Sequence, residues 1–159
     1  MADPSHGEGP RLLWIGLRTA HRGPIQVARE AIGLAGRGLD GDHATHGRSP
    51  NRQLTLITTD DLRVLSSRLG RPVEPALLRR NLLVECCGAP LSWGASYRLG
   101  DMVFLVTGPC EPCSRIREVL GPDGLNAMRG HGGVTAQVIR GGKLGLGDPL
   151  IQLQYDLFQ

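Results

Sequence analysis

Two cysteines in the segment at residues 108–115, Gly-Pro-Cys-Glu-Pro-Cys-Ser-Arg, are the side chains best suited to chemistry in this sequence. The segment follows an apolar run typical of a buried strand and precedes apolar residues at helical spacing. Pro112 cannot continue a strand ladder, so we expect Cys113 at the N-cap or first position of a helix. A helix N-terminus favours thiolate over thiol, and Arg115 and Arg117 can strengthen that field. Cys113 is therefore the leading candidate for a catalytic or metal-ligating residue.

The same segment has the C-x-x-C spacing, which allows two other interpretations. Structural zinc commonly needs a second paired element, and the remaining cysteines, Cys86 and Cys87, are adjacent and point to opposite faces if extended. A redox pair usually accompanies a βαβ pattern, which this sequence lacks. Both alternatives stay open, but we interpret Cys110 as an incidental neighbour of a working Cys113.

A second cluster, in the glycine-rich segment at residues 38–47, contains Asp40, Asp42, His43 and His46. Two acids and two imidazoles at this spacing could coordinate a divalent metal. The alternative is a turn in which aspartate side chains cap the local backbone and the histidines face solvent. The spacing alone favours the turn.

Arginine and glycine supply two further candidate sites. Of the 18 basic residues, Lys143 is the single lysine, and this arginine bias is typical of genomic base composition. The alternative is that some arginines form rigid forks for phosphate or carboxylate, and Arg79 and Arg80, just before an apolar strand, are the first candidates. The glycines at residues 129–133 could let backbone N–H groups approach an anion. They lack the strand–G-x-G-x-x-G–helix context of a dinucleotide loop and the G-K-[ST] ending of a P-loop.

The strands and helices that must position these residues can be predicted from the sequence, and they indicate a mainly β domain. The 159 residues fit one domain, for which we expect a disordered tail at residues 1–10 and a single domain at 11–159. Apolar and β-branched runs indicate about seven strands, at residues 11–17, 53–57, 81–84, 97–99, 102–107, 133–139 and 150–153, with a weaker signal at residues 28–34. Two or three short helices are expected: two begin near Thr59 and Ser114, and residues 75–79 are the candidate for a third. This pattern predicts a barrel or sandwich.

Composition excludes several classes of protein. The chain is too apolar for a disordered protein, and it contains neither a collagen repeat nor an apolar run long enough for a membrane span. The polar start does not resemble a signal peptide, so cysteines here suggest a reducing, cytoplasmic setting. A net charge of +3 does not by itself indicate a nucleic-acid partner.

Seven motifs in order resemble the MOSC domain, named for the C-terminus of molybdenum cofactor sulfurase. They lie at residues 38–43, 52–57, 79–85, 91–101, 106–115, 129–133 and 141–148. The resemblance extends over roughly residues 11–153, and each motif is weak alone. It implies a β-barrel of the pyruvate-kinase β-barrel-like type and a site for the pterin-type molybdenum cofactor.

The resemblance also implies roles for individual residues. The cysteine of the family follows a proline directly and precedes a short helix, which is the position of Cys113. That cysteine is expected to ligate molybdenum or to carry sulfur. The residues that match cofactor-pocket positions are Arg79, Arg80, Asn81, Arg129, Gly130, His131, Gly132 and Gly133.

Stand-alone relatives of this type include small bacterial proteins and the mitochondrial amidoxime-reducing component, so the resemblance implies a reductase of N-hydroxylated compounds. The chain lacks a ferredoxin-like cysteine set, so a separate electron-donor reductase would be needed for a small-molecule substrate. The alternatives are a sulfur-transfer module with a Cys113 persulfide, served by a cysteine desulfurase or a molybdoenzyme, and a non-catalytic cofactor carrier. Pyridoxal phosphate is not expected, because Lys143 is the single candidate for a Schiff base. Neither nucleic acid nor a membrane is an expected partner.

Overall fold

A computed structural model describes residues 9–86, 91–111 and 114–154 of the chain. Within them, the chain forms eleven strands and three short helices. The strands are β1 Leu12–Arg18, β2 Ile25–Ala28, β3 Glu30–Leu34, β4 Gly38–Leu39, β5 Leu54–Thr58, β6 Leu82–Val84, β7 Ser96–Leu99, β8 Met102–Pro109, β9 Val134–Arg140, β10 Gly142–Gly145 and β11 Leu150–Gln152. The helices are α1 Thr59–Leu69, α2 Ser114–Leu120 and α3 Gly124–Met128, and a 3-10 turn covers His43–His46. The prediction of a mainly β domain with two or three short helices is confirmed.

The strands form two sheets. The larger has the order β11-β7-β8-β9-β5-β6-β1-β2, and the smaller has the order β10-β3-β4. All pairings are antiparallel except that of β5 with β6. A parallel pair needs a crossover connection, and α1 lies within the segment that joins these two strands.

This topology brings four chain segments to one edge of the larger sheet. The parallel register aligns Thr58 with Val84, so the carboxyl ends of β5 and β6 are neighbours. Val134, at the start of β9, pairs with Leu56 on one side and with Pro109 on the other. The residues that follow β5, β6 and β8 therefore meet the loop that precedes β9. Most of the chemistry-bearing motifs lie in these segments.

Two apolar clusters hold this arrangement. The larger contains buried residues from both sheets, including Leu54 and Leu56 of β5. Ile57, the next residue of β5, belongs to the second cluster, in which all three helices pack. Because successive side chains of a strand point to opposite faces, β5 is buried on both sides. The edge of the sheet that carries the motifs is therefore firmly supported.

Helix α1 begins with a capping box. The Thr58 hydroxyl accepts a hydrogen bond from the Asp61 N–H, and the Asp61 carboxylate accepts one from the Thr58 N–H. The helix ends at Gly70, which adopts the left-handed conformation. The predicted helix is confirmed, but its N-cap is Thr58 and not Thr59.

Other sequence predictions differ from the structure. The helix expected at residues 75–79 is wrong: Leu77 and Arg79 each donate a backbone hydrogen bond to the residue three positions earlier, which gives successive turns. Arg79 then adopts a positive φ of 58°, which ends any helical path. Strands β2, β4 and β10 and helix α3 were not predicted, because they are short and contain little apolar periodicity.

No helix in the described part of the chain is long and apolar enough to cross a membrane. Residues 1–8 lie outside the described residues, so the predicted disordered tail and the boundaries of a single domain remain predictions.

Candidate functional site

The first candidate site is a cavity of about 400 Å³ with a strongly cationic lining. Its charged and imidazole side chains are those of Arg18, Arg22, Arg52, Arg79, Arg80, His21 and His43. They come from the end of β1, the loop after it, the 3-10 turn and the segments before β5 and β6. Ile116 and Val119 of α2 complete the wall. We call this cavity the arginine pocket; guanidinium forks of this kind suit phosphate or carboxylate groups.

Arg80 connects the arginine pocket with the glycine loop at residues 129–133. Its side chain is 5% exposed, and its Nε donates to the Gly132 carbonyl oxygen at 2.8 Å. Its Nη1 donates to the Leu78 carbonyl oxygen at 2.9 Å. The arginine pair at residues 79–80 and the glycine loop are therefore in direct contact.

Arg79 supports the loop between β1 and β2. Its guanidinium donates to the carbonyl oxygens of Gly23 and Ala20, at 2.5 and 3.4 Å. That loop carries His21 and Arg22 to the wall of the arginine pocket. Arg22 and Arg79 are the two non-glycine residues with positive φ in the described part of the chain. Backbone strain of this kind is concentrated at functional sites.

Asn81 is fully buried below the arginine pocket and joins three parts of the fold. Its Nδ2 donates to the Gly16 carbonyl oxygen and to Asp42 Oδ1, both at 3.0 Å. Its Oδ1 accepts from the N–H and the hydroxyl of Thr55. The amide thus fixes the strand ends from which Arg18 and Arg80 reach the pocket.

Asp42 forms a buried ion pair with Arg18. Asp42 Oδ2 lies 3.0 Å from Arg18 Nη2, and Oδ1 accepts the Arg18 N–H at 2.7 Å. Burial of the carboxyl raises its pKa, but the hydrogen bonds and charge of Arg18, with the Ala44 N–H, outweigh burial and hold the pKa below its usual 3.8. Asp42 also caps the 3-10 turn, while His43 and His46 are exposed, as the turn interpretation predicts. Among described residues, no group of three His, Cys, Asp or Glu could hold a metal.

Cys110 lies in a second cavity, of about 560 Å³, together with Glu111 and part of the glycine loop. Its Sγ is buried and lies 3.9 Å from Nη2 of Arg52, and its N–H donates to the Gly133 carbonyl oxygen. Cys113 lies outside the described residues, as do Cys87 and Pro112. In the sequence, Cys113 lies between Glu111, which lines this cavity, and α2, in which Ile116 and Val119 line the arginine pocket.

The glycine loop has close backbone approaches that explain its composition. A Cβ on Gly132 would lie 2.8 Å from the Cys110 carbonyl oxygen, and one on Gly133 would overlap the Leu56 carbonyl oxygen. Gly133 also has a φ of 86°. Arg68 donates hydrogen bonds to the carbonyl oxygens of Ala127 and Arg129, which attaches the loop to α1. A larger side chain at these two glycines would displace the loop.

A third cavity, of about 380 Å³, opens where β5, β6 and β8 end. We call it the tryptophan pocket, because Trp93 is 75% exposed and lines it. His131 and Asp61 face it as a pair, with His131 Nδ1 and Asp61 Oδ1 3.0 Å apart. Asp60 and Cys86 complete its polar lining.

Asp60 is the second carboxylate of the tryptophan pocket. The hydrogen bond from Arg63, at 2.9 Å, and then that from the Cys86 thiol lower its pKa below the usual value. Burial opposes these hydrogen bonds with a smaller effect, and the charges of Arg63 and His131 add to the lowering. Asp60 is therefore a carboxylate at neutral pH, and the thiol of Cys86 donates to it.

Several residues of these pockets were missed by sequence reasoning. Arg52 opens the motif at residues 52–57 and Asp61 lies in the predicted first turn of α1, so both had a signal. Arg18, His21 and Trp93 had none, because nothing local in the sequence indicates which loop faces which cavity.

Comparisons with solved structures give the same fold. The YuaD protein of Bacillus subtilis superposes with a TM-score of 0.77 at 16% identity, over 92% of this chain and 97% of that one. YiiM of Geobacillus stearothermophilus superposes with a TM-score of 0.73 at 16% identity, over 93% of this chain and 77% of that one. YiiM of Escherichia coli superposes with a TM-score of 0.70 at 20% identity, over 92% of this chain and 71% of that one. The comparison with curated proteins found no match.

Comparison with family models gives one match that bears on the chemistry. The model described as the MOSC domain matches residues 42–151, which is more than half of the chain. The match includes the 3-10 turn, the arginines before β6, the cysteine segment and the glycine loop.

Proposed function

The chain belongs to the MOSC domain family, and from this premise we propose that it is a reductase of N-hydroxylated compounds that binds a pterin-type molybdenum cofactor. Cys113 is the proposed molybdenum ligand. The observation that carries the proposal is the arginine pocket joined to the glycine loop through buried Arg80. The barrel closure of the larger sheet, a cytoplasmic location and a separate electron-donor reductase belong to the same proposal.

The described residues fit the chemistry of this cofactor. A phosphate group needs charge and planar hydrogen-bond donors, which the arginine pocket supplies. A pterin needs backbone hydrogen-bonding groups at close range, and Gly130, Gly132 and Gly133 of the glycine loop line the cavity that contains Cys110. A dithiolene-bound metal is soft and accepts a thiolate ligand. When bound, the cofactor supplies the two-electron redox chemistry.

In this proposal, each part of the chain has a distinct task. The arginine forks bind the phosphate, and Arg80 keeps the glycine loop at a fixed distance from them. Arg79 positions the loop that carries His21 and Arg22. The wall of α2, with Ile116, excludes water from one side of the pocket.

The matched pair Cys113→Ala and Cys110→Ala tests the proposed metal ligand. Both variants are loaded with cofactor and assayed for reduction of benzamidoxime to benzamidine, with reduced methyl viologen as the electron donor. Cys113→Ala is expected to lose activity by about 100-fold or more, because it removes the thiolate ligand itself, whereas loss of supporting residues costs about 10- to 100-fold. Cys110→Ala is expected to retain most of it. Full activity in Cys113→Ala would contradict the assignment.

A further inference from the structure

We propose that the tryptophan pocket is the substrate site, that it takes a planar N-hydroxylated base against Trp93, and that His131 donates the proton to the departing hydroxyl group. The inference rests on the proposed function for the reaction but not for the binding site. His131 then takes part in the chemistry, whereas the family resemblance implied a position in the cofactor pocket.

Trp93 gives this pocket a flat wall. Its indole remains 75% exposed at the mouth of a concave surface, although a large aromatic side chain is ordinarily buried. The ring lies above Gly108, where a Cβ would stand 3.6 Å from Cε2. This is an ordinary van der Waals distance, so the indole packs along β8 at Gly108. An exposed indole in a cavity is a platform for another planar ring.

Asp61 fixes the orientation of the imidazole opposite this wall. Its Oδ2 accepts hydrogen bonds from the N–H and the hydroxyl of Thr58, so the carboxylate is held by the capping box of α1. Its Oδ1 lies 3.0 Å from Nδ1 of His131. A carboxylate only accepts, so Nδ1 carries the hydrogen and Nε2 is the atom that can exchange a proton with a ligand. Asp61 is therefore a positioning residue and His131 the proton donor.

The pocket adjoins the proposed metal ligand. It shares Pro109, Gly130 and Gly133 with the cavity that contains Cys110 and Glu111. Glu111 lies two positions before Cys113 in the chain. A substrate in the tryptophan pocket is therefore separated from that cavity by a wall of three residues with little side-chain bulk.

The tryptophan pocket and the arginine pocket differ in charge. They share no described lining residue. The tryptophan pocket has two carboxylates, those of Asp60 and Asp61, and the arginine pocket has five arginines. The arginine pocket therefore favours phosphate, and the tryptophan pocket favours an uncharged or cationic nitrogen base.

The proton balance of the reaction requires a donor at this place. Reduction of an N-hydroxylated base consumes two electrons and two protons, breaks the N–O bond and releases water. The electrons come from an external donor, which is reduced viologen in the assay. One proton passes from Nε2 of the His131 imidazolium to the departing oxygen, and the other comes from solvent. His131 is left as the neutral imidazole with its hydrogen on Nδ1, and Nε2 regains a proton from solvent.

Binding is tested on the protein without cofactor, with benzamidoxime as the probe. The chain has two tryptophans, so Trp14→Phe leaves Trp93 as the single indole fluorophore. Saturable quenching is expected in Trp14→Phe, and calorimetry is expected to show affinity about tenfold lower in Trp93→Ala than in Trp14→Phe. An unchanged affinity in Trp93→Ala, or no saturable binding to either protein, would overturn the site assignment.

Proton donation is tested on the loaded enzyme. His131→Gln is expected to lower kcat about 100-fold with little change in KM, and to abolish the fall in rate at alkaline pH. Asp61→Asn is expected to lower kcat less, and His46→Gln, an exposed histidine outside these pockets, is the control. The titratable side chains that line the tryptophan pocket together with His131 are those of Asp60, Asp61 and Cys86. An unaltered kcat and pH profile in His131→Gln would overturn the role.

These two tests separate the inference from the proposed function. Binding to the protein without cofactor that depends on Trp93, together with a loaded protein that reduces nothing, would support the site and reject the reaction. Reduction that survives in Trp93→Ala with unchanged KM would support the reaction and reject the site.

Discussion

Arg79 and Arg80 are adjacent in sequence, yet their guanidinium groups have different roles. Arg79 bonds the loop after β1, and Arg80 bonds the glycine loop 52 residues away. The sequence could predict that a pair of arginines mattered, because planar forks suit phosphate. It could not predict the division of roles, since that depends on the positive φ at Arg79 and on contacts between distant segments.

Asp42 gives a prediction about stability and pH. The pKa of Asp42 in the folded protein is below its usual value of 3.8. The charged carboxylate therefore contributes fully to the free energy of unfolding above pH 3.8. This contribution is lost as the pH falls through the pKa of Asp42 in the folded protein. Asp42→Asn is expected to lower the free energy of unfolding by about 2–3 kcal/mol at pH 7, because Arg18 and Ala44 lose a charged acceptor. Urea unfolding at pH 7 and pH 3 measures this.

The matched control for Asp42 is Asp40→Asn, since Asp40 is exposed in the same turn. We expect little change there at either pH. A difference between wild type and Asp42→Asn that stays constant from pH 7 to pH 3 would argue against the ion pair as its source.

At the scale of elements, the crossover β5–α1–β6 determines where the chemistry can occur. Its parallel register brings Thr58 beside Val84, and the hydroxyl of Thr59 accepts the N–H of Cys86. Both strands of this unit could be predicted from sequence. β6 follows from a near-continuous apolar run, and β5 from its alternating and β-branched residues. β10, Gly142–Gly145, could not be predicted, because its pairing with β3 is tertiary and its residues have little strand propensity.

The capping box of α1 gives a prediction at this scale. Thr58→Ala is expected to lower the free energy of unfolding by about 1 kcal/mol, because the Asp61 N–H loses its acceptor. If His131 acts as proposed, this variant also lowers kcat, since Asp61 is held less firmly. Thr58→Ser retains the hydroxyl and is expected to restore both quantities. Thermal unfolding and steady-state kinetics of the two variants measure them, and a Thr58→Ser protein as impaired as Thr58→Ala would contradict the role of the hydroxyl.

For the whole molecule, the distribution of charge is more informative than the net charge of +3. Arginines line one pocket, carboxylates line another, and the cysteine segment connects the two along the chain. The sequence could predict the individual motifs and their family, because each is local. It could not predict that Trp93 and His131 line the same cavity, since they come from segments separated by β7, β8 and two helices.

The central claim is that Cys113 binds a molybdenum cofactor, and the metal and pterin content of the purified protein tests it most directly. Wild type, Cys110→Ala and Cys113→Ala are produced in a cofactor-competent host supplied with molybdate. We predict near-stoichiometric molybdenum and pterin in wild type and in Cys110→Ala, and a loss of metal or an altered metal environment in Cys113→Ala. Absence of molybdenum from the wild type would contradict the account and favour sulfur transfer, and identical content and metal environment in all three proteins would exclude Cys113 as the ligand.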